Sequence, residues 1–125
     1  YAVGVDLTRR DLQNAAKKSG QPWDAAKGFD HSAPVGALTA VGASGHLKSA
    51  HIRLSVNGVL TQDANLSEMI WSVPEIIAAL SRAWVLRAGD LIFTGTPSGV
   101  GALQRGDTVN AEIDGLSSLT FSIAG

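Results

Sequence analysis

The chain has 125 residues, 45% of them apolar and 17% charged, with a formal net charge of −1. That is one domain or less, and the balanced charge gives no reason to expect nucleic acid or a membrane surface as partner. The absence of cysteine excludes disulfides, thiolate metal sites and cysteine nucleophiles. No apolar run approaches the ~20 residues that cross a bilayer, so a soluble, cytoplasmic protein is the expectation.

Tyr1-Ala2-Val3-Gly4-Val5 reads as the middle of a buried strand that ends at Asp6. We therefore expect a fragment: a processed chain, or the ordered part of a longer one. Thr8 suits an N-cap, with Asp11 at the N3 position favouring the helix's positive end. Leu12, Ala15 and Ala16 give an apolar stripe, Lys17 and Lys18 suit the last turn, and Gly20 suits the position after it. A helix of about three turns follows from these signals. From Gly20 to Gly45 the chain carries Pro22, Pro34 and five glycines, and it reads as a long irregular connection. Loops of that length inside a compact domain are uncommon and often functional.

Beyond it, His51 to Val56 and Val59 to Gln62 flank Asn57-Gly58, the strongest short signal for a hairpin with a type I′ turn. Ser72 to Trp84 predicts a second helix, with Pro74 tolerated in its first turn. Asp90 to Thr94 reads as a short apolar strand. Asp107 to Ile113 and Leu119 to Ile123 alternate around the turn Asp114-Gly115. The expected class is α+β: mostly antiparallel or mixed strands, two short helices and long glycine-rich loops.

Three groups of residues could carry chemistry. Asp6 closes a strand just before a helix, and Arg10 and Gln13, three apart, share a helix face. A carboxylate, a guanidinium and an amide so placed could hold a metal and a carboxylate ligand, although Asp6 and Arg10 taken alone read as a surface ion pair. Lys27 sits in Trp23-Asp24-Ala25-Ala26-Lys27-Gly28-Phe29-Asp30, where small and aromatic neighbours could partly desolvate its ammonium. A solvated loop lysine is the plainer alternative. The neighbouring Asp30-His31 resembles a ligand pair but reads as polar surface. Third, Gly95-Thr96-Pro97-Ser98-Gly99-Val100-Gly101 follows an apolar run and could close its N–H groups and hydroxyls on an anion. It lacks the Gly-Lys-Ser/Thr ending of a P-loop, and Ser98 after Pro97 is no nucleophile elbow.

In this order and spacing, Asp6 with Arg10-Asp11-Leu12-Gln13, Lys27-Gly28-Phe29-Asp30 leading to Ala33-Pro34, the Asn57-Gly58 hairpin, Met69-Ile70-Trp71, and Gly89-Asp90-Leu91-Ile92-Phe93-Thr94-Gly95-Thr96-Pro97 with Gly99-Val100-Gly101 resemble the fumarylacetoacetate hydrolase family. The resemblance covers essentially the whole chain. It implies the family's β-roll or sandwich fold, a Mg²⁺ or Mn²⁺ cofactor with Asp6 as one ligand, Arg10, Gln13 and Thr96 facing the substrate, and Lys27 as the catalytic lysine. It also implies a homodimer acting on a small 2,4-diketo acid, cleaving fumarylpyruvate or a related acylpyruvate at its C3–C4 bond to fumarate and pyruvate. Within the family, Leu7 to Gln13 and Pro22 to Asp30 look most like the fumarylpyruvate hydrolases of gentisate breakdown.

The family's Glu-x-Glu metal pair and its water-activating His and Glu have no match in residues 1–125, so further ligands are expected upstream of residue 1. Oxaloacetate decarboxylases and the isomerase/decarboxylases of 2-hydroxyhepta-2,4-diene-1,7-dioate share the residues present here and remain alternatives. A β-rich binding module whose glycine loops are only turns is the non-catalytic one.

Overall fold

The computed structural model describes residues 1–124. Its centre is one antiparallel sheet of four strands in the order β2-β1-β3-β4. The strands are β1 (His51–Val56), β2 (Val59–Asn65), β3 (Thr108–Ile113) and β4 (Leu119–Ser122). Outside the sheet the described residues form four helices, α1 (Arg10–Ser19), α2 (Asp24–Lys27), α3 (Val41–Ser44) and α4 (Val73–Leu80), and a 3-10 turn at Leu66–Glu68. The expected α+β class and both hairpins are present.

The β1–β2 connection is the type I′ turn that Asn-Gly requires, with Asn57 at φ 51° and Gly58 at φ 79°. Its tip is tied into β3. Asn57 Nδ2 donates to Asp107 Oδ1 at 2.8 Å, and the Thr108 N–H donates to Asn57 Oδ1 at 2.9 Å. The Gln104 N–H donates to the other Asp107 oxygen at 2.7 Å. These bonds to the ionised form, the Gln104 N–H first and the Asn57 amide second, hold the Asp107 carboxyl below its ordinary range.

Register assigns the two faces of the sheet. Val56 pairs Val109, Leu54 pairs Ala111 and Ile52 pairs Ile113, while Phe121 and Leu119 extend the same rows from β4. Val109 and Ala111 are buried at the centre of this face. The opposite face is polar, with the pairs His51–Asp63 and Arg53–Asp114 and the Asn110 amide on Glu112.

Between Leu54 and Ser55 the β1–β2 register shifts: Leu54 faces Gln62, but Ser55 faces Leu60. Thr61 is therefore the extra residue of a β-bulge. The bulge changes the parity of β2, so that Val59 before it and Gln62 after it share the apolar face. A buried glutamine on an apolar face must find partners or cost free energy. Its partners come from the loop described below.

Residues 1–7 form an extended segment beside residues 32–39, with Val5 N–H on Pro34 O and Gly36 N–H on Val3 O at 3.0 and 2.8 Å. Only Gly4 and Val35 make a formal bridge. α1 begins at Arg10, with Arg9 rather than Thr8 at the cap and no side-chain bond to the first turn. Its other end follows the sequence reading, with Gly20 left-handed at φ 65°. The expected irregular stretch contains the single turns α2 and α3.

Besides the cap of α1, two expectations change. The second helix stops at Leu80, and Ser81 to Trp84 form turns that leave Trp84 exposed. Leu91–Thr94 is extended but not a strand, because among the described residues no other backbone hydrogen-bonds to it. Hydrophobicity alone cannot supply a ladder partner. The segment instead lies against Gly4, where an added Cβ would stand 2.9 Å from the Phe93 ring.

The buried apolar set is small: Val3, Ala26, Ala50, Val109 and Ala111. The chain exposes 8619 Å², where a compact monomer of 12.9 kDa exposes about 6,300 Å². The apolar face of the sheet is thus only partly covered by this chain. Among the described residues no helix is long and apolar enough to cross a membrane.

Candidate active site

Asp6 lies at the end of the extended N-terminal segment, and the Leu7 N–H holds that segment to Ser32 O at 2.8 Å. Lys27 closes the single turn α2, which buries Ala26 and is tied back by the Arg9 N–H on Ala26 O at 3.0 Å. The Arg9 guanidinium stacks 4.4 Å over the Phe29 ring and fixes the next part of the loop. These anchors bring Lys27 Nζ within 2.9 Å of Asp6 Oδ2. Two residues 21 positions apart in sequence thereby meet. Asp6 takes Lys27 as its partner, not Arg10.

Arg10 turns along its own helix, donating to Gln13 Oε1 at 2.7 Å. Gln13 is buried at 4% exposure while Arg10 is exposed. The amide is therefore placed to orient the guanidinium, and the guanidinium is the member of the pair that meets solvent.

Thr96 sits on the glycine-rich loop, with its side chain exposed. Gln62 Nε2 lies 2.9 Å from Thr96 Oγ1 and 2.8 Å from Pro97 O, and a longer contact of 3.5 Å reaches Ser98 O. The loop presses onto the bulge: Gly99 has φ +96°, and a Cβ there would stand 2.0 Å from Thr61 O. Only glycine meets both conditions. Gln62 escaped the sequence reading because a glutamine near a strand end looks solvent-facing; the bulge that turns it inward has no sequence signature of its own.

Thr96 also lines a cleft of about 730 Å³, together with Ile52, Leu66, Met69, Trp71 and Ile76. Asp6, Arg10, Gln13 and Lys27 do not line it. Four of the five residues singled out in the sequence pair with each other, Asp6 with Lys27 and Arg10 with Gln13, and the fifth, Thr96, pairs with Gln62. The segments carrying Asp6 and Thr96 touch where Gly4 meets Phe93.

Asp6 offers one hard oxygen donor suited to Mg²⁺ or Mn²⁺, but such ions take about six oxygen ligands. Among the described residues no group of three or more His, Asp or Glu side chains could hold a metal ion. Asp6 fits as one ligand and does not make a site by itself. Asp30 and His31 belong to no such cluster.

The C-terminal family of fumarylacetoacetate (FAA) hydrolase matches residues 1–124, and the chain belongs to the fumarylacetoacetate hydrolase family. The crystal structure of fumarylpyruvate hydrolase from Pseudomonas aeruginosa, in complex with Mn²⁺ and pyruvate, superposes with a TM-score of 0.96 at 48% identity, covering 99% of this chain and 53% of that one. Oxaloacetate tautomerase YcgM of Escherichia coli is 44% identical over 96% of this chain and 55% of its own length. Fumarylpyruvate hydrolase of Ralstonia sp is 39% identical over 98% of this chain and 64% of its own. The chain spans about half to two-thirds of the length of the relatives it matches.

Proposed function

We propose that residues 1–125 are the C-terminal portion of a single catalytic domain that cleaves fumarylpyruvate, or a related acylpyruvate, into fumarate and pyruvate. The observation that carries this reading is the meeting of Asp6 and Lys27 at 2.9 Å. The family match adds the precedent of a relative bound to Mn²⁺ and pyruvate. The fragment of substrate common to all acylpyruvates is the 2-oxo acid end, and this chain's residues suit it. The Arg10 guanidinium and the Thr96 hydroxyl are donors for its carboxylate. Gln13 holds Arg10 in place.

Asp6 is one ligand for Mg²⁺ or Mn²⁺, and the remaining ligands come from outside these residues. When bound, the cation supplies Lewis-acid polarisation of substrate oxygens. Lys27 serves the leaving group: breaking the C3–C4 bond leaves negative charge on the pyruvate enolate, and an ammonium beside it lowers that barrier by about 3 kcal/mol. The groups that activate the attacking water also lie outside these residues. A homodimer in the cytoplasm, within an aromatic-breakdown route such as that of gentisate, completes the proposal.

A second reading is favoured by the 44% identity to an oxaloacetate tautomerase. Tautomerisation, decarboxylation or dienol isomerisation needs the same hold on a 2-oxo acid but no attacking water. Turnover of fumarylpyruvate and oxaloacetate by the full-length protein with Mg²⁺ separates them. Release of pyruvate with fumarate supports the hydrolase, whereas keto–enol exchange or CO₂ release from oxaloacetate, without cleavage of fumarylpyruvate, supports its rivals.

A further inference from the structure

We propose that Gln62 is a positioning residue that fixes the Thr96 hydroxyl as a hydrogen-bond donor toward the substrate's carboxylate. The inference rests on the functional reading above and adds to it a residue acting through Thr96.

The geometry sets the direction of each bond. Pro97 O can only accept, so the side of the Gln62 amide facing it at 2.8 Å must be the NH₂ group. The same nitrogen, 2.9 Å from Thr96 Oγ1, then donates there as well. The two N–H protons serve the two short contacts. Thr96 Oγ1 is thus an acceptor from below, and its own proton is left for another partner. Among the described residues it donates to no protein acceptor, and the side chain is exposed. A hydroxyl that accepts from the buried amide has its proton turned away from that amide toward the exposed side, where a carboxylate oxygen can accept it.

The fold supports this placement from beneath. Gln62 is buried at 9% on the apolar face of the sheet, opposite Leu54. The Thr61 bulge turns it there, and Gly99 lets the loop descend onto Thr61 O. Removing the amide leaves the loop seated by shape but frees the Thr96 hydroxyl to rotate.

The test uses Gln62→Met, which keeps length beside Leu54 and removes both donors, and Thr96→Val, which removes the bond from the loop side. The full-length protein is titrated with pyruvate as probe and assayed with fumarylpyruvate. Gln62→Met is expected to weaken pyruvate binding and raise KM about tenfold, with kcat changed less than about threefold, because the contact holds substrate and transition state alike. In the Thr96→Val background it should cost nothing further. Additive losses in the double variant, or equal losses in kcat and thermal midpoint, would mean a structural role only and overturn the inference. Backbone amide signals of Thr96, Ser98 and Gly99 give a readout free of any substrate. They should shift in Gln62→Met, and unchanged signals also overturn it. If the wild type neither binds pyruvate nor cleaves fumarylpyruvate, the functional reading fails, and the amide signals still decide whether the Gln62 amide holds Thr96 and Pro97.

Discussion

Lys27 Nζ lies 2.9 Å from Asp6 Oδ2, in a pair whose side chains are 35% and 50% exposed. An ion pair so open to water is worth about 0–1 kcal/mol. Stability therefore does not explain why α2 and the N-terminal segment are anchored to bring these two groups together. Lys27→Met is expected to shift the unfolding free energy by less than about 1 kcal/mol, read by denaturant titration. A much larger loss would make the pair structural.

Gly99 is the point where the glycine-rich loop meets the sheet, and its φ of +96° and the 2.0 Å approach of Thr61 O leave no room for a side chain. Gly99→Ala is expected to destabilise the protein by more than about 2 kcal/mol, from strained backbone plus steric conflict. Gly42→Ala is the control, because nothing lies within 4 Å of a Cβ there. Thermal melts of the two variants should separate clearly.

Two carboxyls tie stability to acid. The Glu75 carboxyl is held below its ordinary value by the Ser72 hydroxyl first and the Ser72 N–H second. Asp107 is lowered by Gln104 and Asn57. A depressed folded-state pKa contributes stability above the unfolded value, and that contribution is lost as pH falls through the folded one. Stability should hold from neutral pH down to about 4 and then decline. Asp107→Asn should flatten the decline, and an unchanged acid profile would remove Asp107 as a cause.

Under the proposed function Asp6 is the one carboxylate these residues offer a divalent cation, and Asp6 is already paired with Lys27. The isolated 125-residue chain is expected to bind Mn²⁺ no tighter than about 1 mM, against a much tighter site in the full-length protein. Paramagnetic titration measures both. Tight, Asp6-dependent binding by the short chain would mean that it holds a complete site.

Where the sequence was legible, a local rule was in force. Asn57-Gly58 demanded its turn, Gly20 its left-handed cap, and the alternation of residues 107–113 and 119–123 its strands. The Leu91–Thr94 run failed because an apolar segment shows that it wants burial but not whether a neighbouring backbone exists to pair with it. Thr8 failed as a cap because Arg9 and Ala26 join through their backbones and delay the first turn. At the site, motif order pointed to Asp6, Arg10, Gln13, Lys27 and Thr96. Which of them pair is a tertiary property. The spacing of Arg10 and Gln13 shows their shared helix face, whereas the burial of Gln13 and the place of Gln62 beneath Thr96 follow from packing and a bulge that spacing does not display.

In the proposed reaction Lys27 stabilises the departing pyruvate enolate. Its most direct measurement is turnover of fumarylpyruvate by the full-length protein with Mg²⁺, followed by loss of the enol absorbance, in wild type and Lys27→Met. The wild type should cleave the substrate, and kcat should fall at least about a hundredfold in the variant with the fold intact. Wild-type turnover by Lys27→Met would contradict this role of Lys27.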